Sequence, residues 1–294
     1  MPNIPYLLVD AFTEFKGGGN RVALVLDARD LTGDEMYLVA SRLQQSQAAF
    51  VTEWDAAGYT LRFFAANGEL EFSGHAAVAT ASALQQTGRV PAHLKKIYLK
   101  TVAETLTAEL EADRVRVQSP APRFRDPPQW RTMQEFAEAL GANERYLHRG
   151  LPYGIAYTGL WALFIPVVAP GLLDDLEPEM EVLSELSTKT NVAAVHVFAP
   201  YSPRRFYART FAPALGIPED PVTGSANAAL GALLARAGVV PRWEGEVNLT
   251  VTQGHRMGGP GQVEVRIVYE PSGAIVAAYI GGKATIAERG ELEL

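Results

Sequence analysis

Two stretches of this chain set small polar residues and a glycine directly in front of an alanine-rich apolar run. In the first, Glu69–Ala81 (ELEFSGHAAVATA), the junction holds Ser73, Gly74 and His75. In the second, Glu219–Leu234 (EDPVTGSANAALGALL), it holds Asp220, Thr223, Gly224 and Ser225. A helix opens with backbone N–H groups that lack intrahelical partners and with the positive end of its macrodipole. Such a junction can therefore hold a carboxylate, or steady an enolate, without metal or cofactor. Asp220 and His75 add groups able to take or give a proton. Asp220-Pro221 is also an ordinary turn pair, and Thr223 and Ser225 are ordinary N-cap types, so one junction alone would carry little weight. Its occurrence twice gives it weight.

The repetition extends beyond the junctions. Arg62–Ala66 (RFFAA) precedes the first and Arg209–Pro213 (RTFAP) the second, each followed by an acidic loop. Arg62 and Arg209 are 147 residues apart and Gly74 and Gly224 are 150 apart, so the two loops differ by three residues. Upstream, Ser46–Val51 (SQAAFV) has a weaker counterpart in Asn191–His196 (NVAAVH), and each follows an amphipathic helix pattern. The second of these helices is expected at about Glu179–Thr188; the first opens with Thr32 and Glu35 spaced as a capping box. Tyr6–Phe12 and Arg21–Leu26 read as a hairpin around Gly17–Gly19, and Tyr279–Gly282 reads as a last strand ending in a turn. The runs His75–Leu84 and Gly224–Leu234 are apolar nearly all round, which predicts buried helices. Four prolines in Gln118–Trp130 (Pro120, Pro122, Pro127, Pro128) exclude helix and central strand, so the domain crossing belongs there. The expected domains are residues 1–122, with 283–294 as a candidate completion, and residues 123–282. Each is expected to be α+β, mostly antiparallel strands wrapped around a central buried helix, the two pseudo-symmetric.

Composition narrows the function. The 294 residues are 48% hydrophobic with a net charge of −7, and no basic run exceeds two residues, so neither nucleic acid nor a membrane surface is an expected partner. No apolar stretch approaches the roughly 20 residues that span a bilayer. The N-terminus lacks the basic and apolar regions of a secretory leader, which makes the cytoplasm the expected compartment. There is no cysteine, which excludes disulfides, thiolate metal sites and any thiol base. The histidines lack i,i+4 pairing, so no metal is expected. Neither a phosphate-binding glycine loop nor a nucleophile elbow occurs, and no cofactor is expected.

The segments Val9–Ala28, Ser46–Val51, Glu69–Ala81, Arg209–Leu234, Gln253–Gly261 and Tyr279–Ala284 together resemble the phenazine-biosynthesis PhzF-like proteins of the diaminopimelate-epimerase superfamily, over essentially the whole chain. The string Glu219-Asp220-Pro221-Val222-Thr223-Gly224-Ser225-Ala226 is the specific part. The resemblance implies a diaminopimelate-epimerase-like fold with the active site between two alike domains, a homodimer, and cofactor-independent isomerase chemistry on a small, cyclic, carboxylated substrate. Superfamily members that use two cysteines have no counterpart here. PhzF-like proteins instead move a proton with a glutamate, assisted by the residues matching Gly74, His75, Asp220, Gly224 and Ser225. Ser73 and Thr223 flank these as substrate-binding candidates. The glutamate position is occupied by Gln47, whose amide hydrogen-bonds but does not shuttle protons at neutral pH. Gly259 likewise replaces a frequent arginine. Either Asp220 or His75 then carries the proton, with Gln47 orienting the substrate, or the chain is a catalytically impaired small-acid-binding or scaffold protein.

Overall fold

The computed structural model describes residues 3–56 and 58–294; Met1, Pro2 and Ala57, which fall in the expected first domain, lie outside the described residues. The chain divides into two compact units, Met1–Gln118 with Gly281–Leu294, and Ser119–Ile280. The chain opens with β1 (Asn3–Ala11), β2 (Asn20–Val25), α1 (Gly33–Leu43), β3 (Gln47–Asp55), β4 (Gly58–Ala65), β5 (Gly68–Leu70), α2 (Gly74–Gln86), β6 (Lys96–Lys100), β7 (Thr105–Leu110) and β8 (Val115–Ser119). It continues with β9 (Arg123–Arg125), α3 (Trp130–Ala139), β10 (Gly154–Tyr157), β11 (Trp161–Pro166), α4 (Gly171–Asp174), α5 (Met180–Thr190), β12 (Ala194–Ser202), β13 (Arg205–Ala212), β14 (Ile217–Asp220), α6 (Gly224–Arg236), β15 (Glu246–Gln253), β16 (Gly261–Tyr269), β17 (Ile275–Gly282) and β18 (Ala284–Glu293). Tyr279–Gly282 is therefore not the last strand. The chain adds β18, antiparallel to β1 from Asn3↔Glu293 to Ala11↔Ala284.

The internal repeat is a repeat of topology. In the first unit β1, β2, β3, β4, β6 and β7 are joined in turn antiparallel, parallel, antiparallel, parallel and antiparallel. In the second unit β10, β11, β12, β13, β15 and β16 follow the same order of pairings. A parallel join needs a crossover, and the crossovers correspond: α1 with α5, and α2 with α6. Both units are thus α+β.

The four crossover helices differ in what they cover. Thr32 caps α1, accepting from the Glu35 N–H at 3.3 Å while Glu35 Oε2 accepts from the Thr32 N–H at 2.8 Å. Met36 and Val39 of α1 then pack on Ala23, Val25, Phe50 and Phe64. In the second unit α3 and α5 cover the equivalent layer with Met133, Phe136 and Leu183 on Leu163, Ile165, Val195 and Phe211. By contrast α2 is buried from Gly74 to Leu84, and α6 over nearly its whole length from Gly224 to Ala235. Alanine and glycine are needed here because strands crowd these helices on several sides. A Cβ on Gly231 would come within 2.5 Å of Val265 Cγ1 on β16. Both central helices also end alike, in Gly88-Arg89-Val90-Pro91 and Gly238-Val239-Val240-Pro241. Each glycine takes a positive φ (+71° and +68°) that turns the chain out of the helix.

Candidate active site

In both units the loop that delivers the chain to the central helix is tied to the preceding strand. Arg62 on β4 makes a bidentate pair with Glu69 of β5, both contacts at 2.7 Å, and its guanidinium holds the Glu69 carboxyl below the usual range. Arg209 on β13 makes the matching bidentate pair with Glu219 of β14, at 2.9 and 2.8 Å. Each arginine also lies over the phenylalanine two residues on, Phe64 or Phe211. The repeated Arg-x-Phe is therefore a clamp that fixes the approach to each helix N-terminus.

At the start of α2, Ser73 is the N-cap, with extended backbone (φ −141°, ψ 113°), and its hydroxyl accepts from the Ala76 N–H at 3.4 Å. The same hydroxyl donates to Gln47 Oε1 at 2.5 Å and lies 3.5 Å from His75 Nδ1. Gln47 opens β3, paired opposite Ala65 of β4. It is half-buried, whereas Ser73, Gly74 and His75 are buried. The four candidates of this unit thus stand together.

At the start of α6, Thr223 occupies the N-cap position but its hydroxyl caps no helix N–H; it donates instead to Asp220 Oδ2 at 2.6 Å. The Ser225 carbonyl is held by the buried Thr158 hydroxyl at 2.6 Å. Asp220 ends β14 opposite Thr210. The two junctions share one device: a hydroxyl at the cap hands its proton to the candidate side chain, Ser73 to Gln47 and Thr223 to Asp220. Neither central helix has an acidic residue in its first turn, whereas α1 has Asp34 and Glu35.

Behind Asp220 lies a buried polar cluster that the sequence reading passed over. Gln253 Oε1 accepts from the Thr223 N–H (3.1 Å) and Asn227 Nδ2 (2.8 Å), while its Nε2 donates to the Asp220 carbonyl (2.8 Å) and Thr210 Oγ1 (3.0 Å). Thr210 in turn meets His196 Nδ1 at 2.8 Å. The signal was present in β15, where alternate residues Val247, Leu249, Val251 and Gln253 are buried and only the last is polar. His196 is fully buried, and desolvation pushes its imidazole down to about 3. An unfolded chain takes up that proton near pH 6.5 and the native one does not, so the stability is complete above pH 6.5 and falls as the pH drops toward 3. Between pH 7.5 and 5.0, urea unfolding of His196→Gln should lose roughly 2 kcal/mol less than wild type. Equal losses would assign the acid sensitivity to other groups.

A surface groove of about 820 Å³ lies elsewhere, along α5 and the Pro213–Pro218 segment. It contains none of the candidates. Among the described residues no group of three or more metal-ligating side chains occurs, and no helix is long and apolar enough to cross a membrane.

Residues 9–290 match the family described as phenazine biosynthesis-like protein. The chain belongs to this family. An uncharacterized isomerase of Deinococcus radiodurans is 41% identical, over 98% of this chain and 94% of its own. The trans-2,3-dihydro-3-hydroxyanthranilate isomerase of Pseudomonas fluorescens is 32% identical, over 87% of each chain. The crystal structure of the Bacillus anthracis phenazine biosynthesis protein of the PhzF family superposes with a TM-score of 0.89 over 100% of both chains, at 26% identity. The expected fold is therefore the observed one, and the chain is a PhzF-family isomerase.

Proposed function

We propose that this isomerase moves a proton from one carbon to another of a small, cyclic, carboxylated substrate without a cofactor. The carboxylate and the negative charge that develops as the C–H bond breaks rest on the amides at Gly74–His75 and Gly224–Ser225. Asp220 and His75 are the acid/base groups. Gln47 orients the substrate, and Ser73 and Thr223 hold the side chains beside them. One carbon loses a proton and another gains one, so nothing is oxidised and no group leaves.

The observation that carries this reading is the Asp220 carboxylate held at 2.6 Å by Thr223 where α6 begins, in a chain 32% identical to an enzyme named for isomerising a cyclic amino acid. The test is proton NMR in deuterium oxide on a panel of small cyclic and linear carboxylic acids, with trans-2,3-dihydro-3-hydroxyanthranilate first. Loss of a substrate C–H signal is expected, and silence across the panel would overturn the reading. We further propose a cytoplasmic homodimer, expected to show twice the chain mass of 31.8 kDa in solution; a single chain mass would remove the dimer.

A second reading has its own observation. Gln47 Oε1 already accepts the Ser73 proton, and an amide does not shuttle protons at neutral pH. A small-acid-binding or scaffold role predicts ligand-induced stabilisation with no turnover.

A further inference from the structure

The buried carboxamide of Gln253 contacts two backbone groups whose hydrogen bonds run one way only. The Thr223 N–H can only donate and the Asp220 carbonyl can only accept. Exchanging the amide oxygen and nitrogen would set N–H against N–H on one side and oxygen against oxygen on the other. The orientation is thus decided by the backbone rather than by adjustable hydroxyls. Asn227 agrees, because its Nδ2 donates both to the Thr223 carbonyl and to Gln253 Oε1.

That single orientation propagates in two directions. Toward the strands, Thr210 Oγ1 accepts from Gln253 Nε2 and meets His196 Nδ1 at 2.8 Å. Burial keeps that ring neutral. Toward the helix, Gln253 Nε2 reaches Thr223 Oγ1 at 3.3 Å as donor, and the one hydroxyl proton of Thr223 goes to Asp220 Oδ2 at 2.6 Å. At the start of α2 the cap hydroxyl accepts from a helix N–H. At α6, Gln253 holds the backbone at the cap and the hydroxyl serves the carboxylate.

We propose that Gln253 is the positioning residue for Asp220, fixing through the Thr223 N–H and Oγ1 the place from which that hydroxyl donates to the carboxylate. Its consequence for catalysis rests on the proton-transfer reading above. Gln253 acts only through Thr223 and touches no substrate.

Gln253→Glu tests this, because a glutamate keeps the acceptor facing Thr223 and Asn227 but replaces the donor by a second acceptor. The Thr210 and Thr223 hydroxyl protons should then turn toward it. The first readout needs no substrate: carbon-13 NMR of the Asp220 carbonyl and of the Thr223 side chain should shift on loss of the Gln253 donor, at unchanged fold by circular dichroism. The second uses trans-2,3-dihydro-3-hydroxyanthranilate. The exchange rate at saturation should fall by about 10- to 100-fold, as expected for a misaimed catalytic group, with KM little changed. Thr223→Val should fall as far, and the double variant no further, since both remove one link. If Gln253→Glu does not fold, Gln253→Met paired with Thr223→Val gives the same cycle. Asp220 carbonyl and Thr223 shifts that do not move, or effects of the two substitutions that add, would overturn the proposal. Absence of exchange by the wild type would overturn the proton-transfer reading instead, leaving the carbon-13 measurement to decide for or against Gln253.

Discussion

Asp220→Asn is expected to cut the solvent exchange of the substrate C–H by about 100- to 10,000-fold, the range in which a positioned acid or base contributes. The substitution is chosen for what it preserves. An asparagine oxygen accepts the Thr223 hydroxyl as the carboxylate oxygen does, and the Asp220 carbonyl that Gln253 holds belongs to the backbone. The Arg209–Glu219 clamp on the adjacent residue is untouched. The melting temperature should therefore stay near wild type while the rate falls, which separates proton transfer from packing. His75→Gln is the companion variant, since His75 is the other titratable group set at a helix start, 3.5 Å from the Ser73 hydroxyl. A rate unchanged in Asp220→Asn but lost in His75→Gln would move the proton-carrying role to His75. Rates unchanged in both would remove the acid/base assignment.

What was legible in the sequence was local or duplicated. Thr32 and Glu35 find each other across one helical turn, and that spacing carries the whole capping signal. Two Arg-x-Phe strands and two glycine-headed alanine runs disclosed the duplicated fold because crowding around a central helix dictates small residues at matching places. The same logic reached Ser73, Gly74, His75, Thr223, Gly224 and Ser225. It stopped short of the helix ends, where Gly88-Arg89-Val90-Pro91 and Gly238-Val239-Val240-Pro241 repeat the exit as clearly as the glycines repeat the entry. Strand β18 was harder to see. Ala284–Glu293 has no long apolar side to mark it, and its pairing partner β1 lies at the other end of the chain. Gln253 was marked only by its place on the apolar face of β15: its side-chain partners Asn227 and Thr210 lie 26 and 43 residues away, and only the fold brings those groups onto one amide. The Glu69 and Glu219 partners of the clamps were likewise read only as acidic loop, because the pairing of β5 on β4 and of β14 on β13 is what sets each glutamate beside its arginine.

Gln47→Glu is expected to raise the exchange rate by about 100-fold or more over wild type, the contribution of a general base where the wild type has an amide. The site is already built for it. Ser73 donates to Gln47 Oε1, and a carboxylate oxygen accepts that proton equally well, leaving the second oxygen where Nε2 now sits. Half-burial lets the charge be accommodated without full desolvation. The comparison also separates the two readings of this chain. Exchange in wild type that rises in the variant means that Asp220 and His75 turn over the substrate unaided and that a glutamate adds a better base. Exchange in the variant alone means that Gln47 has converted a catalytic pocket into a binding one. Exchange in wild type that does not rise means that the side chain at this position orients the substrate, and the proton travels by way of α6.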